Sequence, residues 1–340
     1  MNLKLLNDTA RGMVAAGRGI LAADESTATI GKRFDNIKTE NTEENRRAYR
    51  EMLFTAPGNE AFTSGVIFYE ETLFQKCADG TPFTQALAKK GIIPGIKVDK
   101  GAKPLPNGGP EETITEGLDG LRERLIKYRE AGARFAKWRA VITIGDGAPA
   151  WNAIHTNSHA LARYAALCQE QDIVPIVEPE ILMDGSNTIE ECQRVSEWML
   201  TQTFLQLQYQ NVALEGIVLK PGMVISGKKC KTQADRKTVA AMTLATLKRC
   251  VPPAVPGIAF LSGGQSDEDA TAHLDEMNRM GGGPWVLSFS YGRALQAAAL
   301  KAWGGRKENF AAGQRAYLHR AKMNGLAAVG KWEQKLEKAA

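Results

Sequence analysis

The sequence predicts an α/β fold, a single-domain (β/α)8 barrel. Three observations point there. Eight short apolar, β-branched runs recur along the chain, helical stretches separate them, and the runs are nearly continuous in their apolarity. Strand alternating with helix indicates a parallel sheet, and unbroken apolarity indicates strands buried on both faces. Eight such units close naturally into a barrel, with an open doubly wound sheet as the alternative.

The runs are Gly19 to Ala23, Gly65 to Tyr69, Ile92 to Val98, Arg134 to Val141, Val174 to Ile181, Gly216 to Val224, Gly257 to Leu261 and Trp285 to Phe289. Between them, Thr42 reads as a helix N-cap, with Glu43 and Glu44 in the first turn, where acids complement the helix dipole. Asn157 to Gln169 and Arg236 to Leu247 are apolar at helical spacing. Thr188 to Leu207, Asp267 to Met280 and Ala294 to Trp303 continue the alternation. A short helical extension is expected over about residues 306–340. The turn-rich segment Lys103 to Pro110 is expected to be a mobile loop.

A chain of 340 residues can bury a large core in one barrel, since such barrels run at ~250 residues or more. It is 44% hydrophobic and 24% charged, with a net charge of +5. That mild positive balance suits an anionic small molecule. No long Lys/Arg run marks a nucleic-acid binder, and no stretch reaches the ~20 apolar residues of a membrane span. Five widely spaced cysteines without a CxxC pair read as reduced thiols of a cytoplasmic protein. The N-terminal segment lacks the apolar run of a signal peptide.

The strands carry polar residues where a barrel places its active site, at their C-terminal ends. Asp24 and Glu25 follow the first run, with Ser26 and Thr29 close behind. Lys97 closes the third, and Lys137 and Arg139 lie in the fourth. Glu178 and Glu180 lie in the fifth, and Lys220 in the sixth. Ser262, Gly263 and Gly264 follow the seventh; Ser290, Gly292 and Arg293 follow the eighth. Period-two spacing turns Lys137 and Arg139 to one side, and likewise Glu178 and Glu180. Two cations and two carboxylates in one mouth compensate each other's burial.

An amine on an apolar strand beside another cation is pushed toward its neutral, nucleophilic form. Lys220 fits, standing alone after Ile217-Val218-Leu219, with Lys137 as the neighbouring cation. The residues by themselves do not separate Lys220 from Lys97 or Lys137. The glycines after the last two strands, with Arg293, suit a phosphate.

Weaker signals are set aside. The GxGxxA string from Gly17 to Ala22 enters a strand instead of turning into a helix. His155 and His159 have the spacing of a metal pair but no carboxylate on the same turn, and read as exposed helix residues. Arg46-Arg47 reads as a solvated helix face.

Several strings together resemble class I fructose-bisphosphate aldolases: LAADEST (21–27), TENTEENRR (39–47), GIKVDKG (95–101), FAKWR (135–139), VPIVEPEIL (174–182), LKPGMV (219–224), FLSGGQS (260–266), and SFSYGRALQ with LKAWGG (288–305). The resemblance runs from about Gly17 to Gly305. It implies metal-free cleavage of fructose 1,6-bisphosphate into two triose phosphates through a Schiff base on Lys220, in a homotetramer. It implies that Lys137 assists carbinolamine formation, that Glu178 is the general acid/base, that Glu180 orients the lysines, and that Asp24 assists carbon–carbon cleavage. Ser262, Gly263, Gly292 and Arg293 match its 1-phosphate site. Lys97, Arg33, Thr29 and Arg139 match the opposite end of the sugar.

The chain departs from the animal pattern in three places. It ends KWEQKLEKAA without a terminal tyrosine, so enamine protonation falls to Glu178 or a water. Gly222 stands where asparagine is usual, and Thr29 where serine is common. The shorter tail suggests a bacterial form. Other Schiff-base barrel lyases, such as transaldolases or keto-acid aldolases, and a non-catalytic scaffold on the same fold are the alternatives. Two phosphate sites argue against the first, and the retained Asp24, Lys137, Glu178 and Lys220 against the second.

Overall fold

In the computed structural model, residues 1–338 are described. The strands are β1 (Gly19–Ala23), β2 (Thr63–Phe68), β3 (Ile93–Lys97), β4 (Ala102–Pro104), β5 (Thr113–Thr115), β6 (Phe135–Ile142), β7 (Val174–Ile181), β8 (Val218–Leu219), β9 (Gly257–Phe260) and β10 (Val286–Tyr291). The helices are α1 (Leu3–Met13), α2 (Thr27–Asp35), α3 (Glu43–Phe54), α4 (Glu70–Leu73), α5 (Phe83–Lys89), α6 (Leu121–Glu130), α7 (Trp151–Glu170), α8 (Ile189–Tyr209), α9 (Arg236–Cys250), α10 (Asp267–Arg279), α11 (Arg293–Trp303) and α12 (Phe310–Ala327). Eight parallel strands close into a barrel in the order β1-β10-β9-β8-β7-β6-β3-β2. The barrel alternative was therefore the correct one, and an open sheet is excluded.

Alternation along the strands sorts side chains into two cores. Ile20, Ile67, Phe135, Val174, Ile176, Val218 and Ala259 fill the barrel's lower interior. Leu21, Val66, Phe68, Ala136, Trp138, Val177, Leu219 and Phe260 face the surrounding helices. The interior is tight: a Cβ on Gly95 would lie 2.2 Å from the Phe135 ring, so only glycine admits that ring between β3 and β6.

Helix α1 closes the bottom. Its buried face, Leu6, Ala10 and Met13, joins the interior core together with Val14. These positions follow an i, i+4, i+7 pattern, the spacing of one helix face.

Helix starts match the capping chemistry. Thr42 accepts from Asn45 N, and Thr188 forms a capping box with Glu191. The sixth run is regular only at Val218–Leu219. Pro221 has no N–H to extend the ladder, yet its carbonyl accepts from Leu261 N at 3.1 Å, which keeps the chain on the barrel wall.

Three expectations fail in whole or in part. The segment Lys103 to Pro110 is a loop only in part: Lys103 and Pro104 belong to β4, which pairs with β5 as an antiparallel ribbon, and residues 105–110 form the turn between them. Arg46-Arg47 is not a solvated face either. Arg46 is buried and clasps Glu71 with two bonds of 2.8 and 2.6 Å, while Arg47 bridges Glu44 and Glu51. His155 is exposed, as expected, and stacks on Trp151, but His159 is half-buried, its Nδ1 3.1 Å from Gln206 Oε1.

Candidate active site

Above the apolar layers the inward positions turn polar. In register they read Phe135, Lys137, Arg139 on β6 and Val174, Ile176, Glu178, Glu180 on β7. On β8, Val218 is followed by Lys220, whose N–H still donates to Val177 O at 2.8 Å. The sequence thus builds a dry floor and an ionised mouth from the same period-two rule.

The mouth is a cavity of about 440 Å³, of the size small-molecule sites have. All sixteen candidate residues line it: Asp24, Ser26, Thr29, Arg33, Lys97, Lys137, Arg139, Glu178, Glu180, Lys220, Ser262, Gly263, Gly264, Ser290, Gly292 and Arg293.

Glu178 sits between the two central lysines. Its Oε1 lies 3.0 Å from Lys220 Nζ and its Oε2 lies 3.1 Å from Lys137 Nζ. Lys137 Nζ also donates to Asp24 Oδ2 at 3.0 Å. All three side chains of the Lys137–Glu178–Lys220 cluster are at most 5% exposed. The expected pairing of Lys220 with a neighbouring cation in apolar surroundings therefore omitted the carboxylate between them. Two other carboxylates are committed differently. Glu180 pairs with Arg139 and with no lysine, and Asp99 holds Lys97 at 2.9 Å.

These pairings fix charge. Burial pushes the Asp24 carboxyl up, but Lys137, Lys220 and Lys97 outweigh it and hold it well below the usual carboxylate range. Burial pulls the Lys137 ammonium down, but Asp24, Glu178 and Asp99 outweigh it and raise it above the usual lysine range. A depressed carboxyl contributes stability that is present above its unfolded value, near 3.8, and lost as pH falls through the lower folded value. We therefore expect the stability gap between wild type and Asp24→Asn to be constant above about pH 5. It should narrow below pH 3.8. Urea midpoints across pH 2–6 test this, and a gap that narrows nearer neutrality would refute it.

The anion-binding groups divide around the ring. Ser262, Gly263 and Gly264 follow β9, and Ser290 to Arg293 end β10 and begin α11. Lys97 on β3 and Arg139 on β6 stand across the ring from them. Gly263 and Gly264 have φ of +56° and +82°, which leaves their backbone free to curl toward an anion without a Cβ penalty. Arg33, expected at the far end, lies instead beside Gly292, its Nη2 4.0 Å from where a Cβ would stand. Helix α2 carries it there because β1, just before α2, pairs with β10.

Ser290 Oγ, buried in the mouth, has no hydrogen-bond partner, whereas Glu178 Oε2 has the Lys137 ammonium beside it. Orphaned polar atoms that face a cavity are where a ligand completes the bonding. Behind the mouth lies a network the sequence reading missed. Fully buried Arg50 donates to the carbonyls of Ala23 and Glu25, while Gln296 Nε2 donates to Ala22 O and Glu25 Oε1. It fixes the turn that aims Asp24. Its members lie on α3 and α11, far apart in sequence, and no local pattern announces them.

No group of three or more His, Cys, Asp or Glu side chains suited to a metal occurs among the described residues.

Comparison with known proteins agrees with this geometry. The family model "Fructose-bisphosphate aldolase class-I" matches residues 5–340. The chain is 58% identical to "Probable fructose-bisphosphate aldolase class 1" of Xanthomonas axonopodis pv. citri, over 98% of this chain and 100% of that one. It is 54% identical to the fructose-bisphosphate aldolase of Dictyostelium discoideum, over 98% and 94% of the two chains. The crystallised aldolase of Plasmodium falciparum superposes with a TM-score of 0.96 at 52% identity, covering 97% of this chain and 96% of that one. An eight-stranded barrel with buried lysines and carboxylates at its mouth, matched over its whole length by these relatives, places the chain in the class I fructose-bisphosphate aldolase family, the lyases that cleave fructose 1,6-bisphosphate.

Proposed function

We propose that Lys220 forms the Schiff base and that Glu178 carries its protons. The observation that carries this reading is Glu178 bridging the two lysines, with Oε1 3.0 Å from Lys220 Nζ. Glu178 takes a proton from the Lys220 ammonium, and the free amine adds to C2 of the ketose. The carbinolamine hydroxyl is protonated and leaves as water, giving an iminium. The C4 hydroxyl loses its proton, the C3–C4 bond breaks into the iminium, and glyceraldehyde 3-phosphate departs. The enamine takes a proton at C3, and hydrolysis frees dihydroxyacetone phosphate and Lys220.

Asp24 and Lys137 supply fixed charges. Asp24, held ionised, is a poor proton carrier and a good anchor for Lys137 and the sugar hydroxyls. Lys137, held protonated, stabilises oxygen charge that develops at C2. The glycine turns after β9 with Arg293 suit one phosphate, and Lys97 with Arg139 the other.

Borohydride reduction with dihydroxyacetone phosphate tests the reading. A stable adduct mapping to Lys220, and turnover retained in excess chelator, are the expected results. An adduct on Lys97 or Lys137, or turnover abolished by the chelator, would overturn it.

The reading extends to a cytoplasmic homotetramer. Five unpaired cysteines, and the lack among the described residues of a helix long and apolar enough to cross a membrane, support the location. Trp151 is 54% exposed and stacks on Trp198 and His155 across α7 and α8. Aromatic rings left in water mark a contact surface. In sedimentation velocity, wild type should run as a tetramer and Trp151→Glu as a smaller species. A wild-type monomer at micromolar concentration would refute self-association.

A further inference from the structure

A second cleft, of about 750 Å³, opens between α9 and α10 and meets the sugar-phosphate site only at Gly264. Met183, Ile225 and Val239 give it apolar walls, and His273 lines it from α10. We propose that this cleft is a binding site for a small molecule with an apolar body and one neutral O–H or N–H donor, which bonds to His273 Nε2.

The hydrogen bonds define the acceptor. Gln265 Nε2 donates to Ser262 O at 3.0 Å, which sets the orientation of the amide. Gln265 Oε1 therefore faces His273 Nδ1, at 2.6 Å. An amide oxygen only accepts, so Nδ1 carries the hydrogen. Burial pushes the imidazole down to about 4, with Asp269 opposing and Arg236 reinforcing, so the ring is neutral at pH 7. In a neutral ring with hydrogen on Nδ1, Nε2 is a bare acceptor. It makes no hydrogen bond among the described residues, although His273 is only 8% exposed. Nε2 is not among the fully buried unpartnered atoms, so a donor that enters the cleft can reach it.

The charges lining the cleft balance, with the carboxylates Asp235 and Asp269 against the cations Arg236 and Lys237, which favours a neutral ligand over an anion. Arg236 is held by Asp269 at 3.0 Å, and Asp235 caps α9 by accepting from Thr238 N at 2.8 Å. Gln265 also ties the cleft to the phosphate loop, because its carbonyl accepts from Arg293. The ligand claim itself is independent of the sugar chemistry.

4-Ethylphenol is a suitable probe: its hydroxyl matches Nε2 and its ethyl ring matches the apolar walls. By titration calorimetry it should bind saturably. 4-Ethylanisole, which has no donor, should bind about tenfold more weakly, as loss of one hydrogen bond predicts. His273→Asn keeps an N–H for Gln265 and removes the Nε2 acceptor, so it should weaken 4-ethylphenol by a similar factor. Enzyme reduced by borohydride with dihydroxyacetone phosphate should bind the probe as well as free enzyme does. No saturable heat, or equal affinity for the ether, would overturn the site, and both are read on unsubstituted protein. Loss of binding in the trapped enzyme would assign the probe to the barrel mouth and equally overturn it.

Discussion

Lys220→Met should lower kcat by at least roughly four orders of magnitude and abolish borohydride labelling. Removal of the nucleophile in covalent catalysis has effects of that size. The fold should survive. Methionine is close in volume, and Glu178 keeps Lys137 as a partner at 3.1 Å when Lys220 is gone. The barrel floor beneath position 220 is apolar, with Val218 and Ile176 below it, so the thioether meets a compatible surface. Turnover within tenfold of wild type, in a variant with native circular dichroism, would remove Lys220 from the mechanism.

Glu178→Gln should cost ~100- to 10,000-fold in kcat, the range that positioned acid–base groups supply. The amide keeps the shape and loses the proton. Its effect should fall mainly on kcat, because the turn after β9, Arg293 on α11 and Lys97 on β3 stand on strands and helices that do not adjoin β7, and only Arg139 on β6 lies beside it. Slow trapping of dihydroxyacetone phosphate on Lys220 should persist, which separates proton transfer from nucleophilic attack. The substitution also leaves two buried ammonium groups with one shared carboxylate fewer. Losing one member of a buried ion cluster costs about 3–5 kcal/mol, so the urea midpoint should fall. An unchanged kcat would return the proton-carrying role to another group, such as a water.

Much of the architecture is local and could be read directly. Each barrel strand shows itself as an apolar run, because parallel strands are buried on both faces. Thr42 and Thr188 announce helix starts, because a cap acts within three residues. The cavity residues were legible for a related reason. A barrel puts every strand's C-terminal end at one mouth, so polar residues at the ends of seven of the eight strands converge whatever their distance along the chain. Where the reading failed, partners were remote. Arg46 looked solvated until Glu71 stood against it, and Lys103 looked loose until β5 paired with β4.

By itself the sequence determined the number of barrel strands, the shared face of Lys137 with Arg139 and of Glu178 with Glu180, and the set of side chains gathered at the mouth. Those follow from the period of the backbone, which each segment carries with it. Only the tertiary structure decided who pairs with whom. It put Glu178 between Lys137 and Lys220, gave Glu180 to Arg139, moved Arg33 beside Gly292, and braced Asp24 from behind with Arg50 and Gln296. Ion pairs and hydrogen bonds act over a few ångströms, and those distances are set by ring closure and helix packing rather than by spacing along the chain.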